Sequence, residues 1–375
     1  MKVKYNMGNQ AAIDACPLTP GCIYFAKDTR KIYLDIVGTR ICLDAGVPEV
    51  IGVQNELIGQ LLERISALEA AQVVEVRVMK IEDLAAALDE NDKVELVLNN
   101  DLAVSAPIEI PAGKEVTIDL NGKEIVSSTA RDSMLFAVEG GVLTLTGNGT
   151  IDAAGSIARA SDGGIVIVNG GIYDSRSSGQ GFASVGEDAM IIFNDGELTT
   201  TEGGLMAFDG AGIEFNGGTL NTRDNFAIGT NGIAGRGGNT ITINGGTING
   251  HITSAGYEAV GVYVANTDHF IMNGGLINVF NGCGICQRGG IVELNGGTIK
   301  ITTDENYAAG GVGDKKKNLE ADGVVFDEAS LYPNAAAHQP MKLVVGSNVV
   351  FDIPEGFENV RVYAADGITP DVTLP

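Results

Sequence analysis

Several carboxylates and arginines in the middle of the chain are of types that could cleave a glycosidic bond. Asp195, Asp209 and Asp224 lie 14 and 15 residues apart, and Arg223 precedes the last of them. A glycosidase needs two carboxyl groups on one bond, one as acid and the other as base or nucleophile. A lyase uses an arginine or lysine as base, a role open to Arg223 or Arg236. These residues are the candidate catalytic set.

The same residues also have a structural interpretation. Asp195 takes the first Gly position of an Asn-Gly-Gly turn, where aspartate can adopt the left-handed conformation. The other acids fall in polar loops of a chain with 24 basic and 48 acidic residues, a net charge of −24. No triad or metal motif accompanies them. We therefore predict that the protein is not an enzyme and keep a carbohydrate-active enzyme as the alternative.

The histidines and cysteines form no recognisable ligand set. The three histidines are far apart in sequence: His251, His269 and His338. Cys283 and Cys286 form a CxxC pair, but no second pair completes a four-thiolate zinc site. On a strand, residues three apart also point to opposite faces. We predict no metal and no cofactor, and we expect these two cysteines to be buried free thiols.

The composition indicates a folded chain of many short strands. Gly accounts for 52 of 375 residues, Trp is absent and 44% of residues are hydrophobic. That apolar content excludes a disordered chain, and the negative charge argues against binding nucleic acid. No run of 18 apolar residues and no apolar stretch near the N-terminus occurs, so we predict neither membrane insertion nor a signal peptide.

A phrase of strand, Asn-Gly-Gly and strand recurs along the chain, as in ITINGGTI (241–248) and VELNGGTI (292–299). Successive copies are 25, 23, 25, 22, 28, 29 and 22 residues apart. A third, weaker apolar stretch lies between copies. Three short strands per repeat, with a fixed minimum length, predict a right-handed parallel β-helix of about 8–10 coils over residues 105–355.

The recurrent asparagines have a structural task in such a fold. Asn tolerates the left-handed conformation, and its amide can bond the same residue one coil away. We predict a ladder of residues ~4.8 Å apart, parallel to the solenoid axis. Its members are Asn121, Asn169, Asn194, Asn216, Asn244, Asn273 and Asn295.

Smaller segments flank the β-helix. Residues 48–72 carry a heptad seam that includes Ile58, Leu61, Ile65 and Leu68, which predicts a coiled-coil neck. A helix lying against the base of the β-helix is the alternative. Residues 73–104 are expected to supply a capping strand and helix, and 356–375 a closing segment.

The first 47 residues predict a small β-module. Residues 21–43 alternate apolar and polar side chains across two turns, which indicates a three-stranded meander. Three short strands bury little apolar surface, so we expect the module to complete its core against other copies or a partner. The predicted virion-anchor residues are Ile23, Tyr24, Phe25, Ile32 and Tyr33.

The segment PGCIYFAKDTRKIYLDIVG (20–38) resembles the opening of many bacteriophage head-fibre and tail-fibre proteins. The body, including EVTIDLNGKEI (115–125), is similar to pectin-lyase-like β-helices. The resemblance implies a structural virion appendage, assembled in the host cytoplasm. It also implies a homotrimer that is attached to capsid or tail proteins through residues 1–47 and adheres to host-surface or mucin glycans. The alternatives are a polysaccharide depolymerase tailspike and a bacterial surface adhesin, the latter disfavoured by the missing signal peptide.

Overall fold

The computed structural model describes residues 4–19, 22–29, 31–36, 39–43, 73–129, 133–175, 180–201, 203–223, 225–230, 236–251, 259–303, 321–327, 341–363 and 371–375. The chain divides into two compact units, Met1–Gln72 and Val73–Pro375. The predicted coiled-coil neck, with Ile58, Leu61, Ile65 and Leu68, lies outside the described residues. No helix in the described part of the chain is long and apolar enough to cross a membrane.

The described residues of the N-terminal unit form four strands and one short helix. Its elements are β1 (Lys4–Gly8), α1 (Gln10–Asp14), β2 (Cys22–Ala26), β3 (Lys31–Ile36) and β4 (Thr39–Leu43). The strands lie in the order β1-β2-β3-β4. β2, β3 and β4 pair antiparallel in succession, and β1 adds in parallel to β2. Helix α1 begins after Asn9, whose side chain accepts a hydrogen bond from the backbone of Ala12.

An ion pair between Asp35 and Arg40 lies on the buried face of this sheet. Arg40 Nε lies 2.5 Å from Asp35 Oδ1, and Arg40 Nη2 lies 2.8 Å from Asp35 Oδ2. The Arg40 guanidinium stacks 4.3 Å above the centre of the Tyr24 ring. Its hydrogen bonds to the Asp35 carboxylate lower the pKa of that group to about 2. The pair is packed into a small apolar cluster of Ile13, Cys22, Tyr24, Ala26 and Tyr33.

The second unit is a parallel β-solenoid of about nine turns. Each coil contributes a strand to each of three rows, and each strand pairs in parallel with the equivalent strand of the next coil. The first row contains β5 (Val74–Val78), β6 (Lys93–Leu98), β9 (Glu115–Asp119), β12 (Val142–Thr146), β19 (Gly212–Phe215), β22 (Thr240–Ile243), β25 (His269–Met272), β28 (Ile291–Leu294), β31 (Lys342–Val345) and β34 (Asp371–Thr373).

The second row follows the turn at the end of each first-row strand. It contains β7 (Leu102–Val104), β10 (Glu124–Ser127), β13 (Thr150–Ala153), β20 (Thr219–Thr222), β23 (Thr247–His251), β26 (Leu276–Phe280), β29 (Gly297–Thr302) and β32 (Val349–Asp352). Two long strands, β15 (Ile165–Ser175) and β17 (Met190–Thr200), run through the turn and belong to both rows. The first two rows therefore form one continuous, bent sheet.

The third row closes each coil. It contains β8 (Ile108–Pro111), β11 (Met134–Glu139), β14 (Ser156–Ser161), β16 (Phe182–Val185), β18 (Leu205–Phe208), β21 (Phe226–Thr230), β24 (Ala259–Val264), β27 (Gly282–Gln287), β30 (Val324–Asp327) and β33 (Val360–Tyr363). The parallel pairing extends from β5 to β34. The solenoid therefore begins before residue 105 and continues past residue 355, the limits predicted from the repeats.

Helix α2 (Ile81–Glu90) follows the first solenoid strand. Its buried residues Leu84 and Ala87 join the core, and it contacts β5, β6 and β7. The Asp83 carboxylate accepts hydrogen bonds from the backbone N–H groups of Met79 and Lys80, which fixes the start of the helix.

Along most strands of the first two rows, alternate side chains point inward and lie against their equivalents in the next coil. Phe193 packs on its equivalent Phe215 with ring centres 5.6 Å apart, and Phe182 of the third row contacts Phe193 across the interior at 6.2 Å. Each fully buried side chain of this size contributes roughly 1.5–3 kcal/mol. Because equal positions repeat along the axis, the core is continuous from one coil to the next.

The left-handed conformation in these turns is taken mostly by glycine, not by the predicted asparagines. Of the seven predicted ladder asparagines, Asn121 alone has a positive φ, of 46°. The left-handed conformation predicted for Asp195 is also wrong, since its φ is not positive. The second glycine of the turn takes that conformation instead, as at Gly218 and Gly246. Asn and Asp therefore serve these turns through their side chains rather than through their backbone preference.

Gly246 combines a φ of +78° with very close packing, because an added Cβ would lie 2.6 Å from the Phe215 ring. Gly186 has a φ of +89° but no heavy atom within 4 Å of such a Cβ. We expect Gly186→Ala to lower the free energy of unfolding by about 1 kcal/mol, from backbone strain. Gly246→Ala should lower it by about 2–4 kcal/mol, because the steric overlap adds to that strain. Guanidinium unfolding of the full chain measures both, and equal losses would contradict the packing of this turn.

Candidate functional site

A row of asparagine side chains follows the turn between the first two strand rows. We call it the turn row, and each member after the first donates its amide N–H to the side-chain oxygen of the preceding member. The five Nδ2–Oδ1 distances lie between 2.7 and 2.9 Å. The members are Asn169, Asn194, Asn216, Asn244, Asn273 and Asn295. Asn121 is not a member, because its Nδ2 donates to the backbone oxygen of Leu98 instead.

A second row of amides lies on the outward side of the second strand row, and the sequence analysis missed it. Asn278 Nδ2 donates to Asn249 Oδ1 and Asn249 Nδ2 to Asn221 Oδ1, both at 2.9 Å. Asn221 Nδ2 donates to Glu197 Oε1 at 3.0 Å. Each of these asparagines follows a turn-row asparagine by five residues. This constant five-residue spacing is the sequence pattern from which the second row could have been predicted.

These amides belong to a larger outward-facing surface. Residues that alternate with the buried ones on β20, β23, β26 and β29 point away from the core. His251 and Phe280 are neighbours on this surface, with ring centres 4.8 Å apart and ring planes at 70°. We call the whole surface the amide face. It comprises Thr219, Asn221, Thr247, Asn249, His251, Leu276, Asn278, Phe280, Thr298, Lys300 and Thr302.

The amide face is suited to binding rather than to bond cleavage. Its central coils present neutral amides, hydroxyl groups and two aromatic rings. The charged residues flank them: Glu197 bonds the end of the amide row, and Lys300 Nζ lies 3.3 Å from Asp352 Oδ2. A neutral hydrogen-bonding surface with an aromatic edge can hold an uncharged polar ligand.

The candidate catalytic residues are not brought together. Asp195 follows the C-terminal end of a first-row strand segment, whereas Asp209 precedes the N-terminal end of β19 in the next coil. A strand of four residues spans ~13 Å. A glycosidase places its two carboxyl groups about 5–10 Å apart. Asp195 and Asp209 therefore do not form such a pair, and Asp224 lies outside the described residues.

The candidate bases have other surroundings. Arg236 Nε lies 2.7 Å from Asp209 Oδ1 and 3.0 Å from Oδ2, so the two side chains form an ion pair between neighbouring coils. The hydrogen bonds from Arg236 lower the pKa of Asp209. Arg223 is exposed at the end of β20, and its backbone N–H donates to the oxygen of Thr200.

The histidines and the CxxC pair occupy separate places. His269 Nε2 lies 3.6 Å from Glu293 Oε2, and His338 lies outside the described residues. Cys283 and Cys286 are buried, as predicted, and lie in an apolar cluster with Val260 and Val325 without forming a disulfide. Within the described residues, no three His, Cys, Asp or Glu side chains converge as metal ligands.

The predicted anchor residues divide between the two faces of the N-terminal sheet. Tyr24 and Tyr33 are buried in the unit's own core, on the side of Asp35. Ile23, Phe25 and Ile32 point to the opposite side and are partly exposed. Phe25 lies opposite Ile32 in the strand register. These three residues form an apolar surface, which we call the anchor face.

A buried polar row lies at the corner between the third and first strand rows, and the sequence analysis missed it as well. Asn239 Oδ1 accepts hydrogen bonds from the backbone of Gly210 and Ala211, at 3.0 and 3.1 Å. Asp268 Oδ1 in turn accepts from Asn239 N at 2.9 Å and from Nδ2 at 2.8 Å. Both side chains are fully buried. Burial raises the pKa of Asp268, although the hydrogen bonds from Asn239 act in the opposite direction.

Comparison with known proteins gives no match. No family model matches the chain, and neither a curated protein nor a solved structure does so.

Asp268→Asn tests the corner row. Because the folded pKa of Asp268 is raised, protonation stabilises the fold below about pH 4, and this stabilisation is lost as the pH rises through the folded value. Asparagine keeps the accepting oxygen without the buried charge. We expect Asp268→Asn to raise the thermal midpoint at pH 7 and to have little effect near pH 4.

Asp188→Asn is the matched control, because Asp188 is an exposed corner residue and the change in net charge is the same. Subtracting the change in thermal midpoint that Asp188→Asn causes removes the stabilisation that any loss of negative charge would give. If the thermal midpoints of the two variants differ by the same amount at pH 7 and pH 4, the buried charge of Asp268 does not destabilise the fold.

Proposed function

We propose that the chain is a structural virion appendage, a phage head or tail fibre, that adheres to host-surface or mucin glycans. The amide face is the observation that carries the proposal. It offers neutral hydrogen-bonding groups at regular intervals on a rigid solenoid, as adhesion to a carbohydrate requires. A right-handed winding of the solenoid is part of this proposal, because parallel crossovers take that hand in nearly all folds.

The N-terminal unit is proposed to attach the chain to capsid or tail proteins. Residues 1–43 contain six basic and three acidic residues, a net charge of +3, whereas the remainder carries 18 basic and 45 acidic residues, or −27. The anchor face adds apolar contacts to this local positive charge. A basic module beside an acidic body favours docking by the N-terminal end.

We further propose that the appendage is a homotrimer. The resemblance to phage fibres implies three chains, and the neck heptads indicate self-association without fixing the number of chains. A patch of aliphatic side chains on the outward side of the first strand row is a further surface for contact between chains. Val142, Ile165 and Met190 are paired in register there, as are Ile167 and Ile192. All five are partly exposed. Light scattering should give three times the 38.9 kDa of one chain, and a monomer at micromolar concentration would overturn the trimer.

Particles from a producing culture test the virion assignment. Gold-labelled antibodies raised against the full chain should decorate intact particles at one location, and unlabelled particles would refute the proposal. Phe25→Lys, on the anchor face, should reduce incorporation. Ile172→Lys, on the exposed solenoid surface, is the control and should be incorporated normally. Release of reducing ends from host polysaccharide by the purified chain would support a depolymerase tailspike instead.

A further inference from the structure

The side chains of the amide face retain hydrogen-bonding capacity beyond what the solenoid uses. An asparagine amide has two N–H donors and an oxygen with two lone pairs. Asn249 uses one donor toward Asn221 and one lone pair toward Asn278. It therefore keeps one donor and one lone pair, and the row fixes the direction in which they point. The amide is only partly buried, so these groups are within reach of a ligand.

The spacing of these groups restricts the ligand. Equivalent residues repeat once per coil, ~4.8 Å along the axis. Consecutive sugars of a linear polysaccharide repeat at close to this distance. An extended peptide presents equivalent side-chain positions every two residues, ~6.7 Å, and does not keep register with the rows. The ligand that matches the rows is a chain of sugars.

The net charge of the solenoid and the two aromatic rings restrict the class of ligand further. The solenoid belongs to the part of the chain with a net charge of −27, so a polyanion is repelled. Phe280 and His251 stand two residues beyond Asn278 and Asn249 on the same outward side. Their rings offer an apolar surface beside the amides, suited to the C–H face of a sugar.

We propose that the amide face binds a linear, uncharged polysaccharide that runs parallel to the solenoid axis. Asn249 and Asn278 supply hydrogen bonds to successive sugars, and Phe280 with His251 supplies the apolar contact. The inference rests on the proposed adhesive function and names its ligand class and its residues. The four strands span three intervals, ~14 Å, which accommodates about four sugars.

Two asparagines of one coil give a matched pair for the test. Asn244, in the turn row, and Asn249, in the amide face, each donate one side-chain hydrogen bond and accept one. Replacing either by alanine breaks the same number of bonds. Their thermal midpoints should therefore fall by similar amounts, whereas only Asn249→Ala removes a ligand contact. Phe280→Leu is a second variant, because it keeps an apolar side chain and removes the ring.

Affinity electrophoresis of the full chain measures binding. The gels contain soluble glucomannan or xylan as neutral linear polymers, or alginate as a polyanion. We expect the neutral polymers to retard the wild-type chain and alginate not to. Asn249→Ala and Phe280→Leu should each weaken retardation about tenfold, as loss of one or two contacts predicts. Asn244→Ala should stay within about twofold of the wild type.

Equal losses for Asn244→Ala and Asn249→Ala would overturn the inference, as would tighter binding to alginate or no retardation by any neutral polymer. Oligosaccharides of increasing length should gain affinity up to about four sugars, and a dimer that binds as well as a hexamer would also overturn it. None of these results bears on particle labelling. The electrophoresis can therefore refute the polysaccharide site while particle labelling still supports the virion assignment, and the reverse also holds.

Discussion

Parallel strand stacking is the constraint on which the rest of the solenoid depends. Each coil hydrogen-bonds to the next through strands at ~4.8 Å, so the same position in every coil faces its own equivalent. Side chains at equal positions must therefore be compatible with one another along the whole axis. Apolar residues meet this condition readily, and the aromatic stack that includes Phe193 and Phe215 fills the interior in this way.

Polar residues meet the same condition only where each can both donate and accept. An amide does so, which explains why asparagine occupies two rows on the outside of the solenoid. A carboxylate cannot bond to another ionised carboxylate, so the buried or corner aspartates have different partners. Asp209 pairs with Arg236, and Asp268 accepts from Asn239. The requirement that makes the rows stable also leaves each amide with unused hydrogen-bonding groups, and the binding proposal draws on these.

The N-terminal unit is built on a different principle. Its sheet has no repeated neighbours, and its buried centre is the ion pair of Asp35 and Arg40 beside Tyr24. Thr19 N–H donates a further bond to Asp35 at 2.8 Å, which helps to compensate the buried charge. With the two tyrosines inside the unit, the apolar residues on the opposite side of the sheet are left partly exposed. The two units therefore differ in charge and in exposed surface: the N-terminal unit is basic and has an apolar face, whereas the solenoid is acidic.

The sequence by itself determined the repeat, the position of the turns and the apolar residues that point inward. Those features depend on local alternation and on glycine, which act within a few residues. It did not determine which asparagines bond one another, because that depends on lateral register between coils. Register excluded Asn121 from the turn row and brought Asn221, Asn249 and Asn278 together. Register and strand length also separated Asp195 from Asp209. Packing against Ile13 and the Arg40 guanidinium decided that the Tyr24 side of β2 is buried, rather than the Phe25 side. Distances across coils are set by tertiary hydrogen bonding, which no local pattern encodes.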